Sequence, residues 1–256
     1  MDKPITTHQV KHIKQGQVEI HDQPVIAESH LTISVNGSEW VDLLCTPIAL
    51  KELSVGFLFT NGVINRLDEI ANLELVHCDS LADIWLIHPA DKPDLWQRNS
   101  GCAGGVSAAN IKLKPVIQSE QSVMTQTELT GLLSTFFSRQ SLYHQSGGLH
   151  SSALCDDNEI VDVSEDIGRH NTLDKLAGAS LLTPHEFGRK AIISTGRISL
   201  EMMQKAARME SNWVISHTSP TSASISLAEQ LGIGVIGYAR KDSCVVYTNQ
   251  RYFVVA

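Results

Sequence analysis

Cys102 stands in Asn99-Ser-Gly-Cys-Ala-Gly-Gly105, with Gly101 before it and Gly104 and Gly105 after it. Glycines leave a sulfur accessible and let backbone N–H groups approach it, and such donors favour thiolate, the nucleophilic form. The competing reading is a small buried cysteine in a tight turn. A second stretch, Asp162-Val-Ser-Glu-Asp-Ile-Gly-Arg-His-Asn-Thr-Leu-Asp-Lys175, is dense in ionisable groups: Glu165, Asp166, Arg169, His170, Asp174 and Lys175. The alternating run Glu159–Val163 leads into it, Ser164, Glu165 and Asp166 suit a turn or helix cap, and Leu173, Leu176 and Ala177 resume at helical spacing. The pattern reads strand, polar loop, helix. On a helix beginning near Gly168, His170 and Asp174 share a face, as do Asn171 and Lys175, which by itself fits a solvated helix start with i,i+4 ion pairs.

Three further loops place small residues where a strand should end. Ser146-Gly-Gly-Leu-His150 carries a histidine that suits either a structural or a chemical role. In Ser194-Thr-Gly-Arg-Ile-Ser199, Gly196 permits close approach, Arg197 supplies a positive fork and Ser199 can cap the next helix. Ser216-His-Thr-Ser-Pro-Thr-Ser222 offers Ser219, Thr221 and Ser222, with Pro220 expected in the first helical turn. Capping alone accounts for each loop. Two of them on neighbouring strands suit a ligand with more than one phosphate, because ligands bind at the carboxyl ends of parallel strands, where helix N-termini present free N–H groups. No G-x-S-x-G elbow, P-loop, H-E-x-x-H or zinc-deaminase signature is present, so bound zinc is not expected.

The elements that must position these loops belong to a folded globular chain of 256 residues, 42% hydrophobic and 19% charged. Twenty-eight acids against twenty bases give a net charge of −8 with no basic run, which excludes bulk attraction to nucleic acid or anionic membrane. No apolar run reaches the roughly 20 residues of a membrane span, and Met1–His8 lacks a signal peptide's apolar core. Five cysteines, at 45, 78, 102, 155 and 244, are scattered and unpaired by spacing, which fits a reducing cytosol. All but Cys102 fall in expected strands and read as core.

Residues 1–28 read as a polar, irregular segment. Leu31–Val35, Asn36-Gly37 and Trp40–Cys45 form a hairpin, Pro47–Thr60 a helix, and 73–77 and 84–88 two more strands. Residues 29–115 are thus expected to be a smaller α+β subdomain that ends in the Cys102 loop. From 116 to 256 the pattern gives a helix at 125–139, a hairpin at 149–163, and then helices and strands in alternation. That alternation implies right-handed crossovers and a largely parallel α/β sheet covered by helices.

Together, Ser-Gly-Cys-Ala-Gly-Gly (100–105), Gly-Gly-Leu-His (147–150), Glu-Asp-Ile-Gly-Arg-His-Asn-Thr-Leu-Asp-Lys (165–175), Ser-Thr-Gly-Arg-Ile-Ser (194–199) and Ser-Pro-Thr-Ser (219–222) resemble the formate dehydrogenase accessory sulfurtransferase (FdhD) family. Glu52–Gly62 is similar to that family's early helix, so the likeness runs along nearly the whole chain. The resemblance implies a cytidine-deaminase-like α/β fold without its zinc. It also implies a cytoplasmic homodimer that takes persulfide sulfur from a cysteine desulfurase and passes it to the molybdenum bis(guanine dinucleotide) cofactor of a formate dehydrogenase. The family's guanine-dinucleotide segment maps onto Tyr238, Ala239, Arg240, Lys241, Asp242 and Ser243, with Arg169, Gly196, Arg197, Ser199, Ser219, Thr221 and Ser222 as further cofactor contacts. Cys102 is the implied persulfide carrier, supported by His150 or His170. Many family members carry Cys-x-x-Cys here, whereas Cys102 is followed by Ala103, Gly104 and Gly105, so no second thiol stands ready to resolve the persulfide. The alternative is a non-catalytic cofactor chaperone whose Cys102 loop only shapes the pocket.

Overall fold

A computed structural model describes residues 3–92, 96–98, 106–108, 111, 113–116, 118–119 and 122–255. At its start, β1 (Ile5–Lys14) and β2 (Gln17–Ile26) pair along their whole lengths as an antiparallel ribbon that turns at Gln15-Gly16. The segment expected to be irregular is therefore a ladder. Most side chains on both of its faces are exposed, including Ile13, Val18 and Ile20, so no buried face imposes the alternation by which a strand is recognised.

A four-stranded sheet of order β4-β3-β6-β5 follows, built from β3 (Ser29–Val35), β4 (Ser38–Cys45), β5 (Ile70–Val76) and β6 (Leu81–Leu86). Asn36 and Gly37 take φ of 50° and 81°, as the expected tight hairpin turn requires. Helix α1 (Leu50–Thr60) lies on this sheet, and Leu53, Phe57 and Leu58 join Leu31, Ile33 and Ile84 in its core. Pro47 stays outside the helix, which starts only after Ala49 in a left-handed conformation. Short strands β7 (Trp96–Arg98) and β8 (Val106–Ala108) pair with each other.

The larger sheet has the order β11-β10-β12-β13-β14-β15. Strand β9 (Met124–Thr125) and helices α2 (Gln126–Ser138) and α3 (Ser141–Ser146) precede it. Then come β10 (His150–Asp156), β11 (Glu159–Asp166), α4 (Arg169–Leu182), β12 (Lys190–Ser194), α5 (Leu200–Arg208), β13 (Trp213–Ser216), α6 (Ser222–Leu231), β14 (Gly234–Gly237) and β15 (Val245–Thr248). Strand β16 (Phe253–Val254) returns to pair with β9. Only β12–β13 and β13–β14 are parallel, so the sheet is mixed rather than largely parallel. Short connections join β10 to β11 and β14 to β15, which forces antiparallel pairing, and the crossover through α4 carries the chain past β10 before β12 is laid down. Helices α4, α5 and α6 cover one face through Leu176, Met203 and Ala228, and α2 covers the other through Leu132 and Phe136.

Cys45 and Cys155 are buried, and burial pushes both thiols up to about 12. Cys78, expected in the core, is exposed: β5 stops at Val76, and His77, Cys78 and Asp79 all take positive φ in the turn to β6. Cys244 is half-buried just ahead of β15.

The two sheets are joined where α1 meets α4. A Cβ added to Gly56 would stand 1.7 Å from the carbonyl oxygen of Asp174, and one added to Gly178 would stand 1.9 Å from that of Glu52. The helices touch backbone to backbone, and neither position has room for a methyl group. Gly56→Ala or Gly178→Ala is expected to cost at least about 3 kcal/mol in urea unfolding. Gly131→Ala on α2, where nothing lies within 4 Å, should be neutral or stabilising by up to about 1 kcal/mol.

Candidate functional site

Strand β11 runs on through Ser164, Glu165 and Asp166, so the expected polar loop is a buried strand end. Glu165 accepts from the backbone N–H groups of Leu142 and Tyr143, both at 2.8 Å, and from the Ser141 hydroxyl, and so opens α3. Asp166 is fully buried and takes four donors: Gly168 N (2.8 Å) and Asn171 Nδ2 (2.8 Å) on Oδ1, Thr46 N (3.1 Å) and Lys175 Nζ (2.6 Å) on Oδ2. Asn171 also donates to Leu44 O, and Ile167 N to Thr46 Oγ1. One helical turn on, Asp174 accepts from Lys205 Nζ at 2.7 and 2.9 Å and from Thr60 Oγ1 at 2.6 Å. The solvated i,i+4 pairs expected of this helix start do not form. Helix α4 is sandwiched between α1 and the large sheet, so its charged groups pair with neighbouring elements instead.

This anchoring delivers the first turn of α4 to the strand ends. Gly196, just past β12, is packed so closely that a Cβ there would lie 3.1 Å from the Arg169 side chain and 3.6 Å from His150 Nδ1. His150 opens β10, so three of the expected site residues meet at one point. His170 is buried, and its Nε2 lies 3.5 Å from the hydroxyl of Ser199, which caps α5 by accepting from Met202 N. Burial, reinforced by Lys205, Arg169, His150 and Arg197, drives the His170 imidazole down to about 3. His150 is also depressed, first by burial and then by Arg169, with Asp166 opposing. Both rings are neutral at pH 7, and Arg169 and Arg197 carry the positive charge.

Beneath this group runs a row of serines. Ser164, Ser152, Ser194 and Ser216 stand abreast on β11, β10, β12 and β13, all buried. Ser152 Oγ donates to Ser194 Oγ (3.1 Å) and pairs with Thr172 Oγ1 (2.7 Å); Ser194 Oγ accepts from Gly196 N, and Ser216 Oγ donates to Gly196 O. Sequence reasoning did not join these residues. The available signal was a serine at the last position of both β12 and β13.

The loops after β12 and β13 are held together by Ile198 N donating to Ser219 O and Thr221 N to Ile198 O. Thr221 caps α6 and Ser222 is its first residue, so Pro220 precedes the cap instead of entering the first turn. Its pairing with Ile198 as an extended bridge accounts for the shift. Tyr238, exposed and at φ 50°, donates its N–H to Thr218 O, and buried Ala239 donates to Ser216 O. Arg240 turns back on its own loop: Nη1 donates to Ala239 O (3.0 Å) and lies 2.6 Å from His217 Nδ1. Lys241, Asp242 and Ser243 are exposed. The 238–243 segment therefore borders the 216–222 loop, whose His217 N–H reaches Ser194 O at the serine row. Cys102, the expected sulfur carrier, lies outside the described residues, as does the whole 99–105 loop. Among the described residues no group of three His, Cys, Asp or Glu is placed to hold a metal ion, and no helix is long and apolar enough to cross a membrane.

The model of the FdhD/NarQ family matches residues 26–253. The chain belongs to that family. It is 33% identical to the sulfur carrier protein FdhD of Bacillus subtilis and 34% identical to that of Bacillus licheniformis, each over 97% of both chains. With the sulfur carrier protein FdhD of Listeria monocytogenes it shares 32% identity over 95% of this chain and 97% of the relative. A crystal structure from Desulfotalea psychrophila, described as a formate dehydrogenase accessory protein, superposes with a TM-score of 0.80 over 98% of this chain and 100% of its own, at 22% identity. That likeness shows the fold: a mixed α/β arrangement shared by the two chains.

The depressed His170 has a thermodynamic consequence. Unfolded, the imidazole takes a proton below about 6.5, whereas the folded protein refuses it until about 3. Between those values the unfolded chain binds more protons, so stability should fall as the pH drops, by at most about 1.4 kcal/mol per pH unit from this group. His170→Asn should flatten that slope in urea unfolding between pH 6.5 and 4.5, and the His170 ring should keep neutral 15N shifts at pH 5.

Proposed function

We propose that this FdhD/NarQ protein is a sulfur carrier in formate dehydrogenase maturation. It receives persulfide sulfur from a cysteine desulfurase on Cys102 and hands it to the molybdenum bis(guanine dinucleotide) cofactor. The names of its relatives support the role. The observation that carries the cofactor half of the reading is the convergence of His150, Arg169 and Gly196, beside His170 and Ser199, at the strand ends. Asp166, the carboxylate nearest in the chain, is already spent on four donors. Arg169, Arg197 and the free N–H groups at the starts of α5 and α6 suit the phosphates of a large anionic ligand. Tyr238–Ser243, with Arg240 and Lys241, would take the guanine end, and Ser219, Thr221 and Ser222 would border the phosphates between the two.

In the first step the Cys102 thiolate attacks the outer sulfur of the donor's perthiol, the donor cysteine leaves as thiolate, and Cys102 is left as a persulfide. In the second, the outer sulfur passes as a neutral atom to an acceptor that supplies two electrons, and the Cys102 thiolate returns. Neutral imidazoles suit this chemistry, because His150 and His170 then leave the arginines as the fixed charges around an anionic sulfur and an anionic client. The same reading takes the large sheet as a deaminase-like one without zinc, residues 29–115 and 116–256 as two subdomains, and the working form as a cytoplasmic homodimer.

Mass spectrometry after incubation with a cysteine desulfurase and cysteine should show one added sulfur on Cys102, removed by dithiothreitol. Cys102→Ala should abolish formate dehydrogenase maturation. Full maturation by that variant would leave the protein as a cofactor chaperone and would sink the relay. Guanosine diphosphate should raise the melting temperature through linkage, and Arg197→Gln with Lys241→Ala should weaken that binding by about tenfold or more.

A further inference from the structure

Lys190 is the first residue of β12 and Ser194 the last. A second constellation therefore sits at the far end of the same strand, about 13 Å from the serine row. Lys190 is half-buried, its Nζ donates to Met209 O at 2.8 Å, and it lies 4.3 Å over the centre of the Phe187 ring. Arg208, at the end of α5, donates Nε to Phe59 O (3.1 Å) and Nη2 to Ile64 O (3.0 Å) and Asn65 Oδ1 (3.3 Å), with its guanidinium 4.6 Å over the Phe59 ring. Carbonyls and aromatic faces hold both cations, and Nη1 of Arg208 has no hydrogen bond among the described residues. Glu210 acts on both from beyond ion-pair distance, joined by Asp156 at Lys190 and by Glu69 at Arg208. Burial pulls both groups below their usual ranges.

Between these cations lies a cavity of about 310 Å³, walled by Phe59, Leu113, Ala177, Leu181 and Ala207. Exposed Lys114 adds a third positive group to its lining and Glu210 one carboxylate, so the cations outnumber the acid three to one. We propose that the cavity is a binding site for a small organic anion, with an apolar body against Phe59, Ala177 and Leu181 and a phosphate or carboxylate on Lys190 and Arg208. Its size is at the lower end for ligand pockets, and it has the usual plan of apolar walls with a few polar groups that fix orientation. The driving force is specific to this site. A half-buried cation without a carboxylate partner is costly, and an incoming oxyanion supplies that partner in a setting where charge-assisted hydrogen bonds are strong. The site shares no residue with the strand-end group and does not depend on how that group is used.

The test is a titration of full-length protein, labelled at methionine methyl groups, with phenyl phosphate and with uncharged benzyl alcohol. Met209 also lines the cavity and reports on it directly. Phenyl phosphate should shift the Met209 methyl saturably and benzyl alcohol should not. Lys190→Gln should weaken the effect about tenfold, the loss expected of one charge-assisted contact. Ser180→Leu, which fills the cavity while leaving both cations in place, should abolish it; this second variant covers the case in which Lys190→Gln fails to fold. Arg197→Gln, at the opposite end of β12, should leave the Met209 response intact. An unmoved Met209 methyl, equal binding of benzyl alcohol, or undiminished binding by the folded Lys190→Gln or Ser180→Leu protein would overturn the proposal.

Discussion

The contact of α1 with α4 is the constraint on which both sheets depend. Two helices can approach until their backbones touch only where both lack a side chain, and Gly56 and Gly178 provide that at successive turns. Close approach brings carbonyls and charged groups together in a dry layer, which is unfavourable unless every one is matched. Asp166 and Asp174 perform the matching, each with a lysine and each with a group from α1 or the segment before it: Thr46 for the first, Thr60 for the second. Buried ion pairs of this kind add little net stability over apolar packing, but breaking one leaves an uncompensated buried charge at a cost of about 3–5 kcal/mol. They therefore select one register of α1 on α4. A slip along either helix would clash at a glycine and strand a carboxylate.

That register also places the strand-end group. Arg169 and His170 are the first two residues of α4, so the position of the helix along its axis decides whether they reach Gly196 and Ser199. The serine row works with it. Hydroxyls at the ends of the strands are small enough to let α4 and the two loops close over the sheet, and each can donate and accept, so Gly196 is gripped at both its N–H and its carbonyl. The result is a rigid floor beneath a pair of arginines, which is what a site for a large, flexible anion requires.

The large elements were legible because their faces are buried on one side. Asn36-Gly37, the apolar stripe of α2 and the alternation of β12, α5, β13, α6 and β14 all report the core directly. The β1–β2 ribbon was hidden because it lies largely in solvent and has no apolar face to read. The 164–166 stretch was misjudged for the opposite reason: side chains that favour turns in water here serve as acceptors inside a protein interface, a tertiary use that local propensity does not encode. Asp166 and Asp174 were visible as candidates, yet their lysine partners lie nine and thirty-one residues on. Only Lys175 fell within the helical window from which pairs were drawn, and it was matched there to Asn171. The sheet's direction was misread because alternating helices and strands do not say which strand a crossover skips. At the strand ends, His150, Arg169, Gly196 and Ser199 were each marked by residue type, but their convergence belongs to the fold.

The chain carries a net charge of −8, so an anionic ligand is repelled at long range and gains attraction only close to the surface. Steering cannot supply affinity to such a protein; fixed local charge must. Both positive constellations supply such charge, and at the cavity it is held in contact by backbone carbonyls and aromatic rings, with Glu210 acting from beyond ion-pair distance. Their placement at opposite ends of β12 keeps them a strand's length apart, beyond the Debye length of about 8 Å at physiological salt, so charge arriving at one is largely screened from the other wherever water reaches. A connection between them would have to pass mechanically through α4 and α5, whose first turns meet at the strand-end group and whose later turns wall the cavity. Those two helices are clamped to each other by Lys205 and Asp174 midway along their length. Any displacement of α5 by a ligand at Arg208 would therefore be felt at Arg169 and His170 on α4 through a buried ion pair rather than through solvent.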